Sequence, residues 1–232
     1  MNRREQIATN LDRLRERVAL AAQSAGRAAE EITIVVVTKF FPAGDVRILA
    51  DLGVRDVGEN RHQEAQAKAA ELSDLDLTWH FIGGLQSNKA AAVTEYADAV
   101  HSVDRAKLLG PLDRGAAARG RQLDVLIQVS LDPPDRPGRA GAPAADLSMI
   151  AEQIATAESL RLRGLMAVAP LGEDPDQAFA RLAEIRSNFL SEQPGATWLS
   201  AGMSGDLEAA IRHGATHVRV GSAILGSRPA NP

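Results

Sequence analysis

The sequence predicts a (β/α)8 barrel of α/β class: eight parallel strands closed on themselves, each followed by a helix, with one additional N-terminal helix. Three observations carry this expectation. A run of mostly β-branched residues, Ile32-Thr33-Ile34-Val35-Val36-Val37-Thr38, ends on Lys39. A near-continuous apolar run of this kind marks a strand buried on both faces of a parallel sheet. Short apolar stretches then alternate with helical periodicity along the whole chain, and strict β–α alternation implies parallel pairing. The length of 232 residues is also close to the roughly 250 typical of such barrels. A doubly wound open sheet is the competing architecture. Eight units without an obvious linker favour closure and a single domain over 1–232.

In order along the chain, Ile7, Leu11, Leu14, Val18 and Ala21 stand at helical spacing within 2–25, and Gly26 stops that leading helix. The first strand, 32–39, is halted by Phe40-Phe41-Pro42, and Pro42 opens a helix over 42–52 that Gly53 closes. Strands are then expected at 54–59, 78–83, 99–104 and 123–130, separated by helices at 60–72, 88–97 and 105–119. A Pro/Gly-rich loop fills 132–143, before a helix at 144–159. Strands at 162–168, 196–201 and 217–225 alternate with helices at 175–192 and 204–213.

Composition narrows the functional classes. Hydrophobic residues make up 45% and charged residues 24%, which is ordinary for a soluble globular chain. The net charge is −4 and no dense Lys/Arg block occurs, which argues against a nucleic-acid or membrane-surface partner. With no cysteine, disulfides, thiolate catalysis and cysteine-ligated zinc are unavailable. The N-terminus leads into a charged amphipathic helix, and no apolar run approaches membrane-spanning length, so a cytoplasmic protein is expected.

The strand-to-helix junctions of a barrel share one face, where chemistry is placed. Lys39 sits at the first of these. Alone it reads as a snorkelling strand-end lysine. Held in an apolar setting, its desolvated amine is suited to Schiff-base chemistry. The second junction carries Gly58-Glu59-Asn60. The seventh carries Ser200-Ala201-Gly202-Met203-Ser204-Gly205-Asp206, where Ser204 reads either as an ordinary N-cap or as part of an anion site. Gly221-Ser222 at the eighth adds a second small-residue turn, and loops seven and eight often bind phosphate. Arg219 shares the inward parity of Gly221. A buried arginine needs a partner: either a structural acid such as Glu59 or Asp104, or a ligand's ring nitrogen or anion. His80 and His101 read as satisfied core histidines and His62 as solvated. No histidine or acid spacing suits a metal.

A strand-one lysine, a phosphate cradle and an inward arginine together suit pyridoxal 5'-phosphate (PLP). The residues also resemble the pyridoxal phosphate homeostasis family, which is similar to the isolated barrel of alanine racemase. The matching segments include Thr38-Lys39, Gly58-Glu59-Asn60-Arg61-His62-Gln63-Glu64, Leu85-Gln86-Ser87-Asn88-Lys89, Gly202-Met203-Ser204 and Val218-Arg219-Val220-Gly221-Ser222. The resemblance implies that Lys39 carries PLP as a Schiff base and that Ser204, Gly221 and Ser222 hold the phosphate. It places Arg219 near the pyridine nitrogen, with Asn60, Ser200 and Met203 lining the ring pocket. It implies a non-catalytic role in PLP storage, buffering or delivery. Apo PLP-dependent enzymes are candidate recipients that the sequence does not name, and it leaves a monomer and a weak dimer both open. The family's lysine-containing loop after strand five reads here as Arg136-Pro137-Gly138-Arg139-Ala140-Gly141. A racemase-type PLP enzyme with weak amino-acid activity is the alternative. It would need a second base, and the one tyrosine, Tyr96, is not expected to reach the site. An unrelated barrel using Lys39 as an aldolase-type amine is a third reading.

Overall fold

The computed structural model describes residues 2–133 and 140–227. Its strands are β1 (Thr33–Val37), β2 (Asp56–Glu59), β3 (Thr78–Phe81), β4 (Ala99–Val103), β5 (Leu123–Gln128), β6 (Leu160–Met166), β7 (Trp198–Ser200) and β8 (His217–Val220). Its helices are α1 (Arg3–Ser24), α2 (Ala43–Asp51), α3 (His62–Glu71), α4 (Ala90–Val93), α5 (Leu109–Arg119), α6 (Leu147–Ala155), α7 (Pro175–Glu192), α8 (Leu207–Arg212) and α9 (Ser222–Leu225). The strands pair in sequence order, all parallel, and β8 returns to β1 with Val35 opposite Arg219. The expected closed barrel is therefore present. Among the described residues no helix is long and apolar enough to cross a membrane.

Alternation along the strands divides the interior in two. Val36, Val57, Val100, Ile127 and Val218 join helix residues such as Leu49, Leu112, Ile150 and Phe179 in one continuous apolar core. Residues of the other parity fill the lumen, where His80, His101, Ser200, His217 and Arg219 are all buried. A hydrogen bond between His101 on β4 and Ser200 on β7 shows that these side chains meet across the barrel, since those strands are not neighbours.

Helix α1 begins at a reciprocal cap. The Asn2 side chain accepts from Glu5 N–H at 2.9 Å, and the Glu5 carboxylate accepts from Asn2 N–H at 2.9 Å. Ile7, Leu11, Leu14, Val18 and Ala22 form its buried stripe. Each large apolar side chain so buried contributes about 1.5–3 kcal/mol. The stripe packs on α2, α8 and α9, which flank β1 and β8.

Several boundaries differ from expectation. β1 ends at Val37, so Lys39 lies in the turn after the strand. The helix expected over 88–97 is a 3-10 turn, Ser87–Lys89, followed by the short α4. There the Thr94 hydroxyl donates to the Ala91 carbonyl at 2.6 Å and competes with helix propagation. The helix expected from 204 starts at Leu207 because the Asp206 carboxylate accepts the Met203 N–H at 2.5 Å and closes a turn. The strand expected to reach 225 stops at Val220. β6 starts two residues early, and β7 is confined to three residues. In the 132–143 loop, Ala142 bridges to Val129. Arg136, Pro137, Gly138 and Arg139 lie outside the described residues.

Candidate functional site: a lysine and a small-residue cradle on one cavity

The turn that carries Lys39 is bolted from behind. Phe40 has φ 70°, the left-handed region that a bulky side chain enters at a cost of about 1–3 kcal/mol. Its N–H donates to Glu64 Oε1 at 2.6 Å. The Lys68 ammonium donates to Glu64 Oε1, Glu59 Oε1 and the Thr38 carbonyl, each at 2.7 Å. The Thr38 hydroxyl also donates to Glu59 Oε1 at 2.7 Å. Glu59 is fully buried, and desolvation pushes its carboxyl up against the lowering pull of Lys68 and Thr38. Both residues that flank Lys39 are thus tied to one buried ionic cluster.

Lys39 lines a cavity of about 330 Å³ at the C-terminal ends of the strands. Met203, Ser204, Arg219, Gly221 and Ser222 line the same cavity, and Val37, Phe41 and Ile82 supply apolar wall. Ser204 Oγ and Ser222 Oγ lie 3.4 Å apart, joining loops seven and eight. The N–H groups of Ser204 and Gly205 have no hydrogen-bond partner among the described residues. From α1, Arg17 donates to the Ser204 carbonyl at 3.2 Å, Asn10 to the Ile224 carbonyl at 2.9 Å and Arg3 to the Leu225 carbonyl at 3.1 Å. These bonds turn the carbonyls of both loops toward α1. Gly221 has to be glycine, because a Cβ there would sit 2.9 Å from the Val37 carbonyl oxygen. Together they leave a small-walled concavity with free donors, which fits a phosphate.

Arg219 is buried, with Nη1 donating to Ser200 Oγ at 2.7 Å and Nη2 to the Ala167 carbonyl at 2.9 Å. The acids considered as its partners are engaged elsewhere: Glu59 with Lys68, and Asp104 with Arg105 at 2.5 Å. Burial lowers its pKa to about 10, with Asp206 opposing, so the guanidinium stays cationic at neutral pH. Two expected pocket residues do not line the cavity. Ser200 is fully buried beneath Arg219, and Asn60 lies in the turn after β2 with a buried, unpartnered Oδ1. Met203 is 40% exposed at the rim. His62 is half-buried rather than solvated and stacks on Tyr96 at 5.9 Å. Tyr96 does not line the cavity, and no cluster suited to a metal occurs among the described residues.

The chain matches the family model of the alanine racemase N-terminal domain over residues 9–229. It is 43% identical to the pyridoxal phosphate homeostasis protein of Mycobacterium bovis, over 98% of this chain and 95% of that one. Against the protein of the same name in Pseudomonas aeruginosa it is 44% identical, over 96% of both. The chain belongs to the pyridoxal phosphate homeostasis protein family. Among solved structures, PipY of Synechococcus elongatus PCC7942, determined with PLP bound, superposes with a TM-score of 0.82 at 38% identity. That match covers 95% of this chain and all of PipY. Alanine racemase of Clostridium difficile, at 16% identity and a TM-score of 0.67, shares the barrel fold and extends well beyond it: the match covers 61% of that chain.

The sequence reading missed Lys68, Glu64 and the N-terminal helix's hold on loops seven and eight. One signal was available for Lys68. It occupies the buried face of α3 with Ala65, in line with the buried Leu72 that caps the helix, a stripe where a lysine demands an acid.

Proposed function

We propose that this chain binds PLP through Lys39 and serves intracellular PLP homeostasis, storing, buffering or delivering the cofactor without strong catalysis of its own. The observation that carries this reading is the union, on one cavity, of an amine, a small-walled cradle with free donors and a cation between them. The relatives' names and the PLP-bound PipY structure support the same cofactor.

The residues fit the group. When bound, PLP brings an aldehyde that condenses with an amine, a phosphate and a ring nitrogen. Lys39 is the anchoring amine, aimed by the strained Phe40 turn. Ser204, Gly221 and Ser222, with the Ser204 and Gly205 N–H groups, hold the phosphate. Arg219 donates toward the ring nitrogen, and Met203 covers the open rim. Asn60, in the turn after β2, stands behind the cavity wall between the turns that carry Lys39 and Ile82. Ser200 acts through Arg219. Arg219, a fixed cation, would oppose protonation of a ring nitrogen held beside it, so the group would supply only a weak electron sink there. Tyr96, the chain's one tyrosine, is buried outside the cavity, with its hydroxyl pushed well above the usual range by burial. That supports the carrier reading over a two-base racemase.

The test is borohydride reduction of the PLP-treated protein, digestion and mass spectrometry. The expected result is a pyridoxyl adduct on Lys39, with no exchange of the α-hydrogen of added amino acids above the Lys39→Ala background. An unmodified Lys39 at saturating PLP would end this reading.

A further inference from the structure

A file of polar side chains, buried except for the half-buried Asp56 at its end, runs the length of the barrel lumen beneath Arg219. Arg219 Nη1 lies 2.7 Å from Ser200 Oγ, which lies 2.9 Å from His101 Nδ1. His101 Nε2 lies 2.9 Å from His80 Nδ1, and His80 Nε2 lies 2.9 Å from Asp56 Oδ1. Asp56 opens β2 at the far end of the barrel, whereas Arg219 faces the cavity. Five side chains from β2, β3, β4, β7 and β8 therefore form one connected path, and no residue of the path between its two ends lines the cavity.

The sense of the path is fixed by its ends. A guanidinium only donates and an ionised carboxylate only accepts. Ser200 Oγ therefore accepts from Arg219 and has one proton left to give, for which His101 Nδ1 is the acceptor. That makes His101 a neutral ring protonated on Nε2, which donates to His80 Nδ1. His80 is then also the Nε2–H tautomer and donates to Asp56. Every bond points the same way, from cation to anion, and bonds so aligned polarise one another. Desolvation above all, with the neighbouring His80 ring, the Arg219 cation and the His217 ring making a further proton unwelcome, holds the His101 pKa well below its usual value, so this ring is neutral. His217, 6.3 Å away between ring centres, is lowered to about 3 by its own burial.

We propose that His101 and His80 are positioning residues: through Ser200 they lock the Arg219 guanidinium, so that the cavity presents fixed donors and selects a pyridine ring whose nitrogen accepts a hydrogen bond. With Nη1 and Nη2 each committed to a protein acceptor, the side chain cannot swing toward Asp206 or the phosphate end. The selectivity half of this proposal rests on the PLP reading above. The direction of the path does not.

Two measurements separate them. Imidazole 15N NMR of the full-length apo chain at about pH 8 is expected to show His80 and His101 both as the Nε2–H tautomer. The Nδ1–H tautomer at either position would overturn the proposal whatever the protein binds. PLP titration is then followed by absorbance in wild type, His101→Leu and His101→Asn. His101→Leu leaves the Ser200 proton without an acceptor and is expected to weaken PLP binding about tenfold and shift the bound absorbance maximum. His101→Asn restores an acceptor near the Nδ1 position and is expected to recover most of both. Unchanged affinity and spectrum in His101→Leu would overturn the positioning role. Failure of wild type to bind PLP would instead sink the functional reading and leave the NMR outcome to decide the path.

Discussion

Replacing Lys68 with methionine should expose what the buried cluster behind Lys39 is worth. The substitution keeps the aliphatic bulk and removes three hydrogen bonds of 2.7 Å. Among the described residues Glu59, with its side chain 1% exposed, then keeps only the Thr38 hydroxyl as partner. Orphaning one member of a buried pair costs about 3–5 kcal/mol. The sign with pH follows from Glu59. Burial already raises its folded-state pKa above the ordinary 4.5, and loss of Lys68 raises it further. A carboxyl raised on folding destabilises most above its folded pKa, and that penalty fades as pH falls toward the unfolded value. Urea denaturation of Lys68→Met is therefore expected to show the full loss at pH 8 and a clearly smaller one at pH 5. Adding Glu59→Gln, which removes the charge and can keep the Thr38 bond, should recover at least half of the loss at pH 8. Equal destabilisation at both pH values, or no recovery in the double variant, would refute the reasoning. The same variant should also bind PLP more weakly, because the Thr38 carbonyl and the Glu64 anchor of Phe40 both lose their cation.

Three further outcomes are expected. Gly221→Ala places a Cβ 2.9 Å from the Val37 carbonyl oxygen; it should cost about 1–3 kcal/mol in chemical denaturation and weaken PLP binding in an absorbance titration at least about tenfold. Arg17→Met cuts the α1 bond to the Ser204 carbonyl. Its pair with Glu208 is largely exposed, so stability should change by less than about 1 kcal/mol, while the PLP dissociation constant rises by about fivefold in the same titration. Asp176 is held below its ordinary 3.8 first by Arg212 and then by His213, tying α7 to α8. A depressed carboxyl stabilises above its unfolded pKa and loses that contribution as pH falls through the folded one. The Tm advantage of wild type over Asp176→Asn in calorimetry should therefore be present at pH 5 and close as the pH falls below 3.8.

The sequence alone determined the architecture and the lysine, arginine and small-residue cradle of the cavity. The β-branched run into Lys39 and the βα alternation are local patterns, and local patterns read out strand and helix order directly. Small residues at Ser204, Gly221 and Ser222 were legible because a barrel puts successive strand ends on one face. What the sequence could not supply is which side chains meet across the lumen. Arg219 stood out as a buried cation in need of a partner, yet its neighbours are a serine hydroxyl on the adjacent β7 and the Ala167 carbonyl just past β6, neither of which carries a charge that the sequence would mark as a partner. The acids nearest in the sequence reading, Glu59 and Asp104, point elsewhere, one to Lys68 and one to Arg105. Asp56, His80 and His101 are tens of residues apart, and each alone looks like an ordinary strand residue. Strand parity decided that they face inward, pairing of β2, β3 and β4 set them side by side, and closure of the sheet brought His101 across the lumen to Ser200. Hydrogen-bond direction then followed from the charges at the two ends.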